Sequence, residues 1–135
     1  MIFALDTNII SLMLKGEADV IARYYQELEH GNEFVIPPIV YYEIKRGLLV
    51  RNLPNKKRAF DEFCQDVEVG RFDFEVWAKA ALIYAELSKK GKPLGSNADA
   101  DYFIAAFCII NGYTLVSRNV RHFESIDELK FEDWK

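Results

Sequence analysis

Four consecutive apolar residues, Ile2, Phe3, Ala4 and Leu5, begin one residue in from the N-terminus and stop at a carboxylate, Asp6. An apolar run without alternation describes a strand covered on both faces, which is the pattern of a parallel sheet. Ile9, Ile10, Leu12, Met13 and Leu14 then recur at helical spacing, so Asp6, Thr7 and Asn8 occupy the turn between strand and helix. In open α/β sheets this carboxyl edge is where ligands sit. Asp6 is equally suited to capping the helix, its carboxylate accepting from N–H groups of the first turn.

Bulk properties narrow the classes. A chain of 135 residues, 50% hydrophobic and 28% charged, is long enough for a real core, fits a single domain and is not a disordered segment. The net charge of −4 excludes a uniformly basic nucleic-acid binder while leaving room for local basic patches. Cys64 and Cys108 both stand among apolar residues, as buried thiols do, and suit a reducing interior. No stretch approaches the ~20 apolar residues of a membrane span, and Asp6 interrupts the N-terminal apolar run before it resembles a signal peptide. A cytoplasmic protein with no membrane partner is expected.

The chain then alternates. Gly16 allows a break; Val20, Ile21, Tyr24, Tyr25 and Leu28 define a second helix ending near Gly31; Glu33 to Ile36 is a second strand. Pro37 and Pro38 suit the first turn of a helix that runs through Glu43 toward Gly47, and Glu43 in its second turn leans back over the edge that holds Asp6. A further helix runs through Phe60 and Phe63. Val67 to Phe72 is expected as a short strand broken by Gly70, and Phe74 to Lys90 as a long amphipathic helix with Trp77 in the core. Gly95, Ser96 and Asn97 form a loop before Asp99 and Asp101 open another helix, ended by Gly112. Tyr113 to Ser117 is a buried strand whose end carries Arg118 and Asn119, and a last short strand lies near Leu129 to Phe131.

Strands joined by helices through short connections give right-handed crossovers and a parallel sheet, with every strand's carboxyl end on one side. Asp6, Glu43, Asp99, Asp101 and Asn119 all fall near that side, and the sequence places no Lys or Arg among them. Clustered carboxylates without a cation are costly, so a metal is expected. Oxygen ligands with no Cys or His select Mg2+, with Mn2+ as the alternative. Such an ion polarises a phosphoryl oxygen and generates hydroxide from bound water, which points to phosphodiester cleavage. Two other classes remain open: a receiver-like phosphoacceptor domain, which wants an adjacent acidic pair where this chain has Leu5-Asp6, and a non-catalytic binding module of the same fold.

Four stretches carry a family resemblance in order: Leu5-Asp6-Thr7-Asn8; Glu43 before Ile44 and Gly47; Asp101-Tyr102-Phe103-Ile104-Ala105-Ala106; and Leu115-Val116-Ser117-Arg118-Asn119 with His122-Phe123. Together with the closing Glu132-Asp133-Trp134, they resemble the PIN domain, specifically the VapC-type toxins. The resemblance implies a three-layer α/β/α sandwich with a short, mostly parallel central sheet. It also implies a magnesium-dependent endoribonuclease, the toxin of a type II toxin–antitoxin pair, acting on RNA, blocked by a cognate antitoxin and forming a homodimer. Asp6, Glu43 and Asp101 match the family's acidic metal ligands, and Asp99 an additional acid found in some members. Asn119 stands where many members have a fourth Asp; Thr7, Asn8, Ser117 and Arg118 are the surrounding candidates for ligand or substrate contact. Val40 departs from the Ser or Thr of many members.

Lys45, Arg46, Arg51, Lys56, Lys57 and Arg118 are candidates for a basic rim that meets substrate phosphates. Adjacent helical residues point about 100° apart, so one tyrosine of each pair, Tyr24-Tyr25 and Tyr41-Tyr42, should be exposed. With Ile9, Leu12 and Met13 they are candidates for an apolar groove beside the acidic edge, where the antitoxin would bind.

Overall fold

Strand β1 (Ile2–Leu5) lies in the middle of a five-stranded sheet in the computed structural model, which describes residues 1–95 and 98–135 and, at Val120, the backbone alone. Phe3, Ala4 and Leu5 are buried, as a strand covered on both faces must be. The other strands are β2 (Glu33–Ile36), β3 (Glu68–Val69), β4 (Thr114–Ser117) and β5 (Phe131–Asp133), in the order β3-β2-β1-β4-β5. Every adjacent pair is parallel; Ala4, for example, is in register with Val35 on one side and Leu115 on the other. That order differs from the 2-1-3-4-5 of a receiver domain and removes that alternative.

Connectivity sets the layers. From β1 the chain steps outward through α1 (Thr7–Leu14) and α2 (Ala18–Glu29) to β2, then through α3 (Pro38–Val50) and α4 (Pro54–Asp66) to β3. It returns through α5 (Phe74–Lys89) and α6 (Asp99–Asn111) to β4 on the other side of β1, and passes through α7 (Val120–Phe123) to β5. Right-handed crossovers running in opposite directions put α1 to α4 on one face and α5 to α7 on the other, giving α/β/α layers. The direction reverses between β1 and β4, whose carboxyl ends form the topological switch point.

Several local expectations shift. Helix α3 passes Gly47 because Leu48 continues its buried stripe, and one mid-helix glycine costs only about 1 kcal/mol. Trp77 is not core: it is 52% exposed, in T-shaped contact with Phe72 and Phe103. The last strand starts at Phe131 rather than Leu129, with Trp134 buried just beyond it against Phe3 and Phe34. Ser96 and Asn97 of the expected loop lie outside the described residues. Gly112 ends α6 at φ 72°, a left-handed conformation suited to glycine.

Strand β3 covers two residues of the stretch from Val67 to Phe72 expected as a short strand broken by Gly70. Its end is Gly70, whose N–H still donates to the Ile36 carbonyl at 2.9 Å. A Cβ at Gly70 would strike the ring of Phe107, which is buried and packed against Phe72 and Tyr113. The requirement is steric, so Gly70→Ala should destabilise the fold by about 1 to 3 kcal/mol through overpacking. Equilibrium urea unfolding measures it; an unchanged midpoint would mean that the ring swings aside freely.

Candidate active site

Asp6 is 7% exposed and holds the switch point together. Its Oδ1 accepts from the Thr7 N–H at 2.8 Å, capping α1, while Oδ2 accepts from the Ser117 hydroxyl of β4 at 2.7 Å. The capping role and the edge role therefore coexist, one on each oxygen. Ser117 Oγ in turn accepts from the Asn119 N–H at 2.9 Å, so the loop after β4 is tied to the same carboxylate. Thr7 acts through its side chain as well, the hydroxyl donating to Glu43 Oε1 at 2.8 Å and so bridging α1 to the second turn of α3.

A cleft of about 460 Å³ opens over this edge, lined by Asp6, Thr7, Asn8, Glu43, Asp101, Arg118 and Asn119 among others. Sequence reasoning places all seven there. Asp99 is not brought in. Two residues along a helix turn the side chain by about 200°, and Asp99 is exposed on the far side of α6, in an aromatic hollow with Trp77, Tyr84 and Phe103. Val40 is fully buried, so at that position the chain presents packing where a hydroxyl would have offered a hydrogen bond.

The residue to which sequence reasoning gives no role is His122. From α7 its Nε2 meets Asp101 Oδ2 at 2.8 Å, a contact beside the carboxylates that the sequence reading does not place there. The signal for it is position: three residues after Asn119, on a segment that must return over the carboxyl edge. Arg118 also lines the cleft, its Nε donating to the Trp134 carbonyl at 2.8 Å. That bond ties the guanidinium to the buried C-terminal tryptophan and leaves its terminal N–H groups available.

The donor set is chemically suited to a hard divalent cation: carboxylate oxygens from Asp6, Glu43 and Asp101, plus a buried amide oxygen on Asn8 that has no hydrogen-bond partner. As positioned, the acids face their own protein donors. Among the described residues, no three His, Cys, Asp or Glu side chains are gathered closely enough to grip an ion.

Burial raises the Asp6 carboxyl above its ordinary value; hydrogen bonds from Ser117 and Thr7 oppose the rise, and the charges of Asp101 and Glu43 add to it. A carboxyl whose pKa is higher in the folded than in the unfolded chain binds its proton more tightly when folded. Its ionisation therefore costs stability as pH climbs from the ordinary value through the raised one. In chelator at neutral pH, Asp6→Asn should be more stable than the parent by about 1 kcal/mol, or roughly 3 to 5 °C in Tm. The gain should shrink as pH falls into the ordinary carboxylate range, because the raised Asp6 carboxyl of the folded parent takes up its proton before the unfolded chain does. Scanning calorimetry across that range checks it, and a variant less stable at neutral pH would show that the carboxylate's hydrogen bonds outweigh its burial.

Known proteins share this arrangement. The PIN domain family model matches residues 3–129. The chain is 29% identical over 135 residues to ribonuclease VapC1 of Haemophilus influenzae, covering 99% of this chain and 98% of that one. It is 31% identical over 134 residues to the tRNA(fMet)-specific endonuclease VapC of Shigella flexneri, covering 98% and 97%. Among solved structures it is similar to the VapBC2 complex of Rickettsia felis bound to a promoter DNA fragment, with a TM-score of 0.88, 26% identity and full coverage of both chains. A central parallel sheet with acids at its switch point, matched end to end by these relatives, makes this chain a member of the PIN domain family and, within it, of the VapC toxin ribonucleases.

Proposed function

We propose that this protein is a magnesium-dependent endoribonuclease, the toxin of a type II toxin–antitoxin pair. The observation that carries the reading is the convergence of Asp6, Glu43 and Asp101 on one cleft at the β1/β4 switch point. Asp6, Glu43 and Asp101 would hold the ion, and Mn2+ would serve in its place. When bound, such an ion supplies Lewis-acid polarisation of a phosphoryl oxygen and a water of lowered pKa.

The chain's own groups do the positioning. Thr7 sets the spacing of Asp6 and Glu43 by donating to both, and His122 holds one oxygen of Asp101. Arg118, tethered at Nε, offers its remaining N–H groups to a phosphate oxygen where negative charge grows during the reaction. Asn119 closes the cleft's rim, exposed and able to contact either the ion's water or the substrate.

Two surfaces support the partners. Tyr25 is 58% exposed while Tyr24 is buried, and Tyr42 is 55% exposed beside a partly buried Tyr41, as helical geometry requires. The apolar groove differs from the expected one and shares no lining residue with the acidic cleft. Ile9 is core, Leu12 faces the acidic cleft and neither Tyr41 nor Tyr42 reaches the groove, which Ile10, Met13, Leu14, Ile21, Tyr25 and Phe63 line, with a volume of about 200 Å³. The Rickettsia felis relative is a VapBC complex, and we assign this groove to the cognate antitoxin. Exposed Phe74, Trp77 and Tyr84, within about 80° of one another round α5, support a homodimer through that face. No described helix is long and apolar enough to cross a membrane.

The central test is cleavage of RNA, with tRNA(fMet) among the first substrates because one relative is named for it. Cleavage should stop in chelator and return with Mg2+ or Mn2+. Asp101→Asn should lower the rate at least about a hundredfold with the circular dichroism spectrum unchanged, the loss that several kcal/mol of transition-state stabilisation corresponds to. A mutant that cuts at the parent's rate would remove Asp101 from the chemistry. For the partner, Tyr25→Ala should weaken the antitoxin complex by more than ~1 kcal/mol in titration calorimetry. An unchanged Kd would place the antitoxin elsewhere.

A further inference from the structure

The acidic cleft is continuous with a second hollow of about 240 Å³, the two sharing Thr7, Ser11, Lys15 and Glu43. The second hollow runs away from the sheet edge between α1, α3 and α4, and adds Arg51 and Lys56 to its walls. Glu43 is its one acid, at the end where the two hollows join. Among the described residues, Lys15, Arg51 and Lys56 form no ion pair.

Neighbouring cations are engaged differently. Lys45 and Lys57 both pair with Asp61, Lys57 at 3.3 Å, and the Lys45–Asp61 contact raises the Lys45 pKa and lowers that of Asp61. Arg46 stacks over the Tyr42 ring at 5.0 Å. Of the six basic residues named from the sequence, only Arg51 and Lys56 face this hollow, and Arg118 faces the cleft itself. The placement of Lys56 is not explained by helix stability. It lies in the first turn of α4, which holds no acid, although the helix dipole disfavours cations at that end.

Resting on the endoribonuclease reading, we propose that this hollow is the track along which the phosphate backbone of single-stranded RNA leaves the cleft, with Lys15, Arg51 and Lys56 meeting successive phosphates. A strand whose scissile phosphate sits at the carboxylates must continue across the surface of a protein of net charge −4. A row of cations that no acid neutralises, beginning where the acids end, supplies the attraction the rest of the surface lacks. Lys56 and Lys57 are adjacent in sequence and identical in charge, yet they take opposite parts: one lines the track, the other is held by Asp61.

The experiment uses the full chain in chelator, so that neither metal nor turnover enters, and a short fluorescein-labelled 2′-O-methyl oligoribonucleotide of mixed sequence as probe. Lys56→Gln and Lys57→Gln change the net charge equally. Lys56→Gln should weaken binding about five- to tenfold at about 50 mM salt and reduce the slope of log affinity against log salt by about 0.7, one phosphate contact's share for a single strand. Arg51→Gln should do the same, and Lys57→Gln should stay within about twofold of the parent. Equal losses for Lys56→Gln and Lys57→Gln would overturn the track, leaving only a bulk-charge effect. Unchanged RNA binding by Lys56→Gln together with weakened binding of a poly-glutamate peptide would also overturn it, assigning the hollow to an acidic protein segment. A parent that binds no oligonucleotide would sink both the track and the RNA-substrate reading. Retained cleavage by Asp101→Asn would fault the catalytic reading alone.

Discussion

The organisation of this molecule depends on one nearly buried carboxylate. Asp6 sits at the end of the central strand, where a charge is costly, and it is kept there by a donor from each side of the switch point: the Thr7 N–H of α1 and the Ser117 hydroxyl of β4. Because β1 is flanked by β2 and β4, the chain must leave it toward one face and return to its other edge from the opposite face. The loops after β1 and β4 therefore diverge and leave a cleft between them, with Asp6 at its floor. Moving the carboxylate one residue back, to position 5 of β1, would turn it to the other face of the sheet, since strand side chains alternate.

That dependence explains which features are legible in the sequence. Asp6, Glu43, Asp101 and Asn119 can be placed because each is a fixed number of residues from an element boundary, and a parallel sheet sends all those boundaries to one side. The strands are legible for a related reason: β1, β2 and β4 are apolar runs with turn residues at their ends. Sequence reasoning fails where position depends on rotation about a helix axis or on a neighbour far away in the chain. Asp99 and Asp101 look alike in sequence, yet about 200° of helical turn sends one into the cleft and the other into an aromatic hollow. Type and spacing assign Trp77 to the core, and it is half exposed, in T-shaped contact with Phe72 and Phe103. No sequence count reveals that Asp61 engages Lys45 and Lys57 while Lys56 forms no ion pair among the described residues. The need for glycine at position 70, just after β3, likewise turns on a ring from α6, Phe107, that leaves no room for a side chain there.

His122 bears on a wider question, namely how three acids share one cleft without forcing it apart. Like charges crowded together would raise one another's pKa until one was protonated. Here each acid has a donor of its own: Asp6 has two, Glu43 has the Thr7 hydroxyl and Asp101 has His122. The donors come from three different elements, so the acids are held apart by the fold rather than by chance of rotamer. Thr7 couples two of them through adjacent atoms of one residue, which makes the Asp6–Glu43 spacing a property of a single turn of backbone. The arrangement keeps the carboxylates ordered and close to a common cleft while none has to face another directly. A site assembled this way already has its acids oriented, with Thr7 engaging only one oxygen of Glu43 and His122 only one oxygen of Asp101. Acids ordered by the fold in advance spare a bound group the entropic cost of ordering three free side chains.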